Sequence, residues 1–98
     1  MEVIRDGTDL TIKVPGKLDM NTSPELERML GEKMDDNVKS IVLDLDGCIY
    51  VSSAGLRVIL SLEKKMSKNG GVMRIVHVPA LVMEVFTETG LTDILRIE

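Results

Sequence analysis

Ser40-Ile41-Val42-Leu43-Asp44-Leu45 is the stretch that decides the fold. It is nearly continuous in branched apolar residues, the pattern of a strand buried on both faces at the centre of a parallel sheet. Downstream, Leu56, Val58, Ile59, Leu60, Leu62 and Met66 give a helix with a broad apolar face. That helix stops at Asn69-Gly70-Gly71, where residues tolerant of positive φ stand. Val72-Met73-Arg74-Ile75-Val76 reads as another buried strand. Pro79 then opens a helix carrying Leu81, Val82, Val85 and Phe86, closed by Gly90 with Leu91 as its hydrophobic follower. Ile94-Leu95-Arg96-Ile97 is a last short strand.

Upstream, Leu10, Ile12 and Val14 alternate with Thr11 and Lys13, a strand with one wet face. Val3 and Ile4 precede it across Asp6-Gly7-Thr8-Asp9, which predicts a short edge hairpin, and Pro15-Gly16 stops it. Thr22-Ser23-Pro24-Glu25 is a helix start, with a hydroxyl cap, Pro in the first turn and an early acid. Leu26, Met29, Leu30 and Met34 follow at helical spacing until Asp35-Asp36-Asn37. The predicted order is β-β-α-β-α-β-α-β in a single domain spanning residues 1–98. This is an α/β fold: a mostly parallel central sheet, an antiparallel edge strand, and helices packed against the sheet through right-handed crossovers.

Composition bounds the chemistry. The 98 residues carry a net charge of −4, two aromatic side chains (Tyr50 and Phe86), one His and one Cys. A nucleic-acid backbone needs a concentrated positive footprint, and single strands need stacking faces, so no nucleic-acid partner is expected. One His and one Cys exclude a His/Cys metal cluster or a disulfide framework, and no cofactor is expected. A lone Cys in an acidic chain without a visible signal peptide suits the cytoplasm. The apolar runs are too short to insert in a membrane.

Open α/β sheets place their sites at the carboxyl ends of strands, where loops meet helix N-termini. Two loops have a suitable composition: Gly16-Lys17-Leu18-Asp19-Met20-Asn21, and Asp46-Gly47-Cys48-Ile49-Tyr50-Val51-Ser52-Ser53-Ala54-Gly55. In the second, two serines at a helix start set hydroxyls beside unpaired backbone N–H groups, which accommodate an anion or a phosphate carried on the serine itself. On composition alone the plainer reading is that Ser52 or Ser53 merely caps the helix. No catalytic residue is assigned. The sole His77 has no evident acid beside it, and neither a nucleophile elbow nor a phosphate-binding glycine loop is present. Asp44 and Asp46 read as solvated strand-end acids, Cys48 as an inert small side chain, and Met29, Met34 and Met66 as core fillers.

Taken in order, Gly16-Lys17-Leu18-Asp19, Ile41-Val42-Leu43-Asp44-Leu45 and Tyr50-Val51-Ser52-Ser53-Ala54-Gly55-Leu56-Arg57-Val58-Ile59-Leu60 resemble the STAS domain of bacterial anti-sigma factor antagonists. Gly70-Gly71 before one strand and Thr89-Gly90-Leu91 before the last also fit that family. The resemblance implies a partner switch that binds an anti-sigma factor, itself a serine kinase, and thereby frees a sigma factor. It further implies that the kinase phosphorylates the antagonist and that a metal-dependent serine phosphatase reverses this. Matching on Gly55-Leu56 puts the phospho-acceptor at Ser53, with Ser52 as the alternative, and makes Asp19 the acid of the first loop. The partner-binding face expected from it comprises Asp19, Met20, Asn21, Ser52, Ser53, Ala54, Gly55 and Arg57.

Two positions depart from the family pattern: Ser52 where Asp is frequent, and Ala54 where Ser is frequent. The family fold also commonly ends in a further helix, whereas this sequence stops at Glu98, just past the last strand. The alternative function within the same fold is a sensory or nucleotide-binding STAS module regulating a transporter or signalling assembly. Oligomeric state is left open.

Overall fold

A computed structural model describes residues 1–98. The elements run β1 (Glu2–Asp6), β2 (Asp9–Lys13), β3 (Gly16–Leu18), α1 (Ser23–Lys33), β4 (Ser40–Asp44), β5 (Cys48–Val51), α2 (Ser53–Lys68), β6 (Val72–Val76), α3 (Ala80–Glu88), a 3₁₀ turn (Leu91–Asp93) and β7 (Arg96–Ile97). Five strands form one sheet in the order β1-β2-β4-β6-β7. The β1–β2 hairpin is antiparallel, and β2, β4, β6 and β7 are parallel, as the alternation of strands and helices requires.

The expected order lacks two elements. β3 and β5, both read from sequence as loop, pair in parallel as a separate two-stranded sheet. Their origin is physical. β2 and β4 are parallel neighbours, and where each leaves the large sheet the same neighbour relation continues in the small one. Pro15, which lacks a ladder donor, breaks the first chain; Gly47, at φ 78°, turns the second. Pairing resumes at once, with Gly16 N–H donating to the carbonyl of Gly47 at 2.9 Å. Runs of three and four residues are too short for periodicity to announce.

Burial corrects a further expectation. Leu10, Ile41 and Met73 lie in one cross-strand row, and Ile12, Leu43 and Ile75 in the next; all six are buried. The alternate residues of the β4 strand, Ser40, Val42 and Asp44, are only half-buried. The central strand is therefore covered on one face, because the core is a single cluster on the Ile41–Leu43 side. Leu26 and Leu30 of α1, Ile59, Leu62 and Met66 of α2, and Phe86 of α3 all belong to it. The final strand is also shorter than expected: Ile94 and Leu95 bond back to the Leu91 carbonyl of the 3₁₀ turn, and only Arg96–Ile97 pairs with β6. No helix is long and apolar enough to cross a membrane.

Candidate functional site

The small sheet builds the site. Leu18 and Val51 are opposite each other in the β3–β5 register, so the residues that follow each strand emerge side by side. Ser52 N–H donates to the carbonyl of Leu18 at 2.9 Å, tying the two exits together. From there one chain enters the Asp19 loop and the other begins α2. A parallel register thus unites two segments more than thirty residues apart.

The Asp19 loop is locked from within. Asp19 Oδ1 accepts from the N–H of Asn21 at 2.9 Å and of Thr22 at 3.1 Å. These bonds, led by that from Asn21, hold the Asp19 carboxyl below the ordinary carboxylate value despite some desolvation. The Thr22 hydroxyl donates to the carbonyl of Lys17 at 2.8 Å and accepts from the N–H of Asp19 at 3.0 Å. This corrects the expected hydroxyl cap of α1: Thr22 occupies the cap position with helical backbone angles, but its side chain is spent on the loop behind it.

The start of α2 is arranged differently. Ser52 is the N-cap, its backbone extended and its Oγ accepting from the N–H of Gly55 at 3.3 Å. Ser53 follows as the first helical residue, exposed, and its hydroxyl makes no hydrogen bond within the chain. The first four N–H groups of a helix have no partner inside it, and here that of Ser52 is answered by the Leu18 carbonyl and that of Gly55 by the Ser52 hydroxyl. Those of Ser53 and Ala54 remain for an anion, in the positive field of the helix end. Gly55 is needed for contact rather than for turning: a Cβ there would stand 2.5 Å from the Leu18 carbonyl oxygen and 3.0 Å from Val51 Cγ1. The first turn of α2 rests directly on the ends of β3 and β5.

Asp19, Met20, Ser52, Ser53, Ala54 and Arg57 line a cleft of about 450 Å³. Of the residues singled out from sequence, Asn21 and Gly55 do not line it. Asn21 acts through its N–H bond to Asp19, and Gly55 lies beneath the surface. Sequence reasoning missed Tyr50, the remaining wall of the cleft, which is 50% exposed on β5. The signal was the pair Ile49-Tyr50, two large apolar residues in what reads as a polar connection. Ile49, Met20 and Leu81 are likewise more than half exposed. Ile49 and Tyr50 continue into a shallow groove of about 270 Å³ against Leu81, Val82 and Val85 of α3.

Elsewhere at the strand ends, His77 does have an acid beside it: its Nδ1 lies 3.0 Å from Asp44 Oδ1, an adjacency made by the parallel β4–β6 register. Asp44 is held below the ordinary carboxylate value first by the N–H of Asp46 and then by His77. The carboxylates, His77 and Cys48 form no group of three or more that could hold a metal ion. Cys48 is buried on β5, and burial pushes its thiol up, away from the reactive thiolate.

Comparison with known proteins agrees with this fold. Residues 1–98 match the STAS domain family. An anti-sigma-B factor antagonist of Staphylococcus aureus is 31% identical over 86 residues, which cover 88% of this chain and 80% of that protein. The crystal structure of an anti-sigma factor antagonist from Mycobacterium paratuberculosis superposes with a TM-score of 0.83 at 25% identity, over 98% of this chain and 81% of the other. The Bacillus cell fate determinant SpoIIAA in its phosphorylated form superposes with a TM-score of 0.69 at 14% identity, over 99% of this chain and 89% of that one. The last likeness speaks for the fold alone.

Proposed function

The chain belongs to the STAS domain family, and from that premise we propose that it is an anti-sigma factor antagonist switched by phosphorylation of Ser53. Unmodified, it binds an anti-sigma factor that is also a serine kinase, and so frees a sigma factor. The kinase moves the terminal phosphoryl group of ATP to Ser53 Oγ: the bond between the terminal phosphorus and its bridging oxygen breaks, Oγ–P forms in place of Oγ–H, and ADP and a proton leave. A metal-dependent serine phosphatase returns the hydroxyl by hydrolysis.

One observation carries the choice of serine. Ser52 is committed to capping α2, while Ser53 is exposed, uncommitted and in the cleft. Modifying Ser52 would remove a cap that stabilises helices by about 1 kcal/mol, whereas modifying Ser53 disturbs no bond within the chain. The partner face is the cleft wall with Met20, Ser52, Ala54 and Arg57, widened by Tyr50 and the apolar residues Ile49 and Leu81. Asp19, held by its loop, lines the same wall; Asn21 and Gly55 serve it by positioning.

The switch follows from charge. Phosphate brings about −1.5 to −2 charges at neutral pH to a surface otherwise fit for close packing. The α2 terminus tolerates this; a packed partner surface does not, because it must desolvate the phosphate. A tenfold loss of affinity needs only about 1.4 kcal/mol, so binding is switched without unfolding the antagonist. The test is phosphorylation by the cognate anti-sigma kinase with ATP, followed by mass mapping. Ser53→Ala is expected to abolish incorporation, and Ser53→Asp to release the kinase in a pull-down. Undiminished phosphorylation of Ser53→Ala, or equal retention by Ser53→Ala and Ser53→Asp, would sink the reading.

A further inference from the structure

We propose that Arg57 is the group that receives the phosphate on Ser53 and carries its arrival to a second groove, between α1 and α2. This rests on the phosphorylation reading above. Ser53 and Arg57 are one turn apart on α2, the i, i+4 relation in which an anion on the N-terminal side and a cation on the C-terminal side meet on one helix face. Both line the cleft of about 450 Å³, and Arg57 is the one cation that does. The cleft also holds the Asp19 carboxylate, so a phosphate there is repelled from one wall and drawn to the other. Guanidinium is suited to this task, since its planar fork donates two parallel hydrogen bonds to phosphate oxygens.

Arg57 is free to respond. Arg5, Arg28 and Arg74 are tied to Asp35, Glu32 and Glu98. Arg57 is exposed and makes neither an ion pair nor a side-chain hydrogen bond.

Arg57 is also the one residue shared between that cleft and the groove of about 560 Å³ walled by Glu27 and Gly31 of α1, by Met34 just past its end, and by Ser61 and Lys65 of α2. When its guanidinium turns to the phosphate it leaves this second wall. The charged lining of the groove passes from Glu27, Arg57 and Lys65 to Glu27 and Lys65. Phosphorylation is thereby registered on a surface the phosphate does not touch.

The test uses the full chain with phosphoserine installed at position 53 during synthesis, so that no kinase is required. The second ionisation of phosphoserine lies near pH 6, and a facing cation favours the dianion and lowers it. Phosphorus NMR titration is expected to place it about 0.2–0.4 pH unit lower with Arg57 than in Arg57→Gln, with Arg57→Lys between them. Nitrogen–proton spectra are expected to show the Gly31 and Ser61 amides moving on phosphorylation, and that movement lost in Arg57→Gln. Equal titration of the Arg57 and Arg57→Gln proteins overturns the proposal, as does undiminished movement of Gly31 and Ser61 in Arg57→Gln. Because the phosphate is built in, these outcomes are separate from the phosphorylation reading, which fails on the kinase assay instead.

Discussion

Two helix starts in this chain are written alike and used oppositely. At the start of α1 stand Thr22-Ser23, at that of α2 Ser52-Ser53, each a pair of hydroxyls comprising the N-cap and the first helical residue. At α1 both are taken inward: Thr22 holds the Asp19 loop, and Ser23 is 3% exposed. At α2 the first serine caps the helix and the second is left open to solvent. The difference lies in what comes before each pair. The α1 start follows Asp19, whose carboxylate gathers the loop's N–H groups and Thr22 with them. The α2 start comes straight off β5 with no acid to organise it. A free hydroxyl at a helix terminus is thus a property of its surroundings, not of the hydroxyl.

The comparison is broken most severely by removing the contact that seats α2. Gly55→Ala drives a methyl group into the Leu18 carbonyl, which is backbone and cannot swing away. The expected cost is about 1–3 kcal/mol, read from denaturant unfolding. Gly31→Ala on α1, where nothing lies within 4 Å, is expected instead to stabilise by up to about 1 kcal/mol. Equal behaviour of the two glycine variants would show that α2 does not rest on β3 as described.

The two serines separate next. Ser52→Ala loses the bond to Gly55 N–H and is expected to cost about 1 kcal/mol. Ser53→Ala, at an exposed uncommitted position, is expected to stay within about 0.5 kcal/mol of the parent. Thermal melts of the pair measure this directly, and reversed costs would exchange the roles of cap and acceptor.

The smallest effect is that of pH on the Asp19 loop. Because the folded state holds the Asp19 carboxyl below its ordinary value, its contribution is present above that value and fades as pH falls through and below the carboxylate range. Asp35 and Asp44 are shifted in the same direction and act with the same sign. Asp19→Asn is therefore expected to flatten the acid limb of the stability curve slightly while leaving α2 unaffected. An unchanged acid limb would mean that the Asn21 and Thr22 bonds do not depend on ionised Asp19.

Much of the fold was legible in the sequence because long elements advertise themselves. Leu56 to Met66 repeats at helical spacing over several turns, and Ile41 to Leu45 and Val72 to Val76 are dense in β-branched residues. β3 and β5 were not legible. Each is too short for a period, and what makes them strands is each other. The half-open face of β4 was missed for a related reason: Val42 looks as buried as Leu43 until the helices are seen on one side. Of the site, Ser53, Asp19 and Arg57 could be named from the resemblance of their motifs, but Tyr50 could not, because it sits on the strand that was read as loop. Likewise Asp44 stands beside His77 only because β4 and β6 lie in register.

The sequence by itself determined the α/β class, the parallel sheet with its antiparallel edge, the absence of a His/Cys metal cluster, and the positions where hydroxyls meet helix starts. These follow from local periodicity, capping chemistry and counting, all of which are carried by near neighbours in the chain. Only the tertiary structure decided which serine is spent and which is free, that the Asp19 and Ser53 loops share one cleft, and that Arg57 borders two. Those outcomes depend on the small sheet of β3 and β5, whose hydrogen bonds join residues distant in sequence.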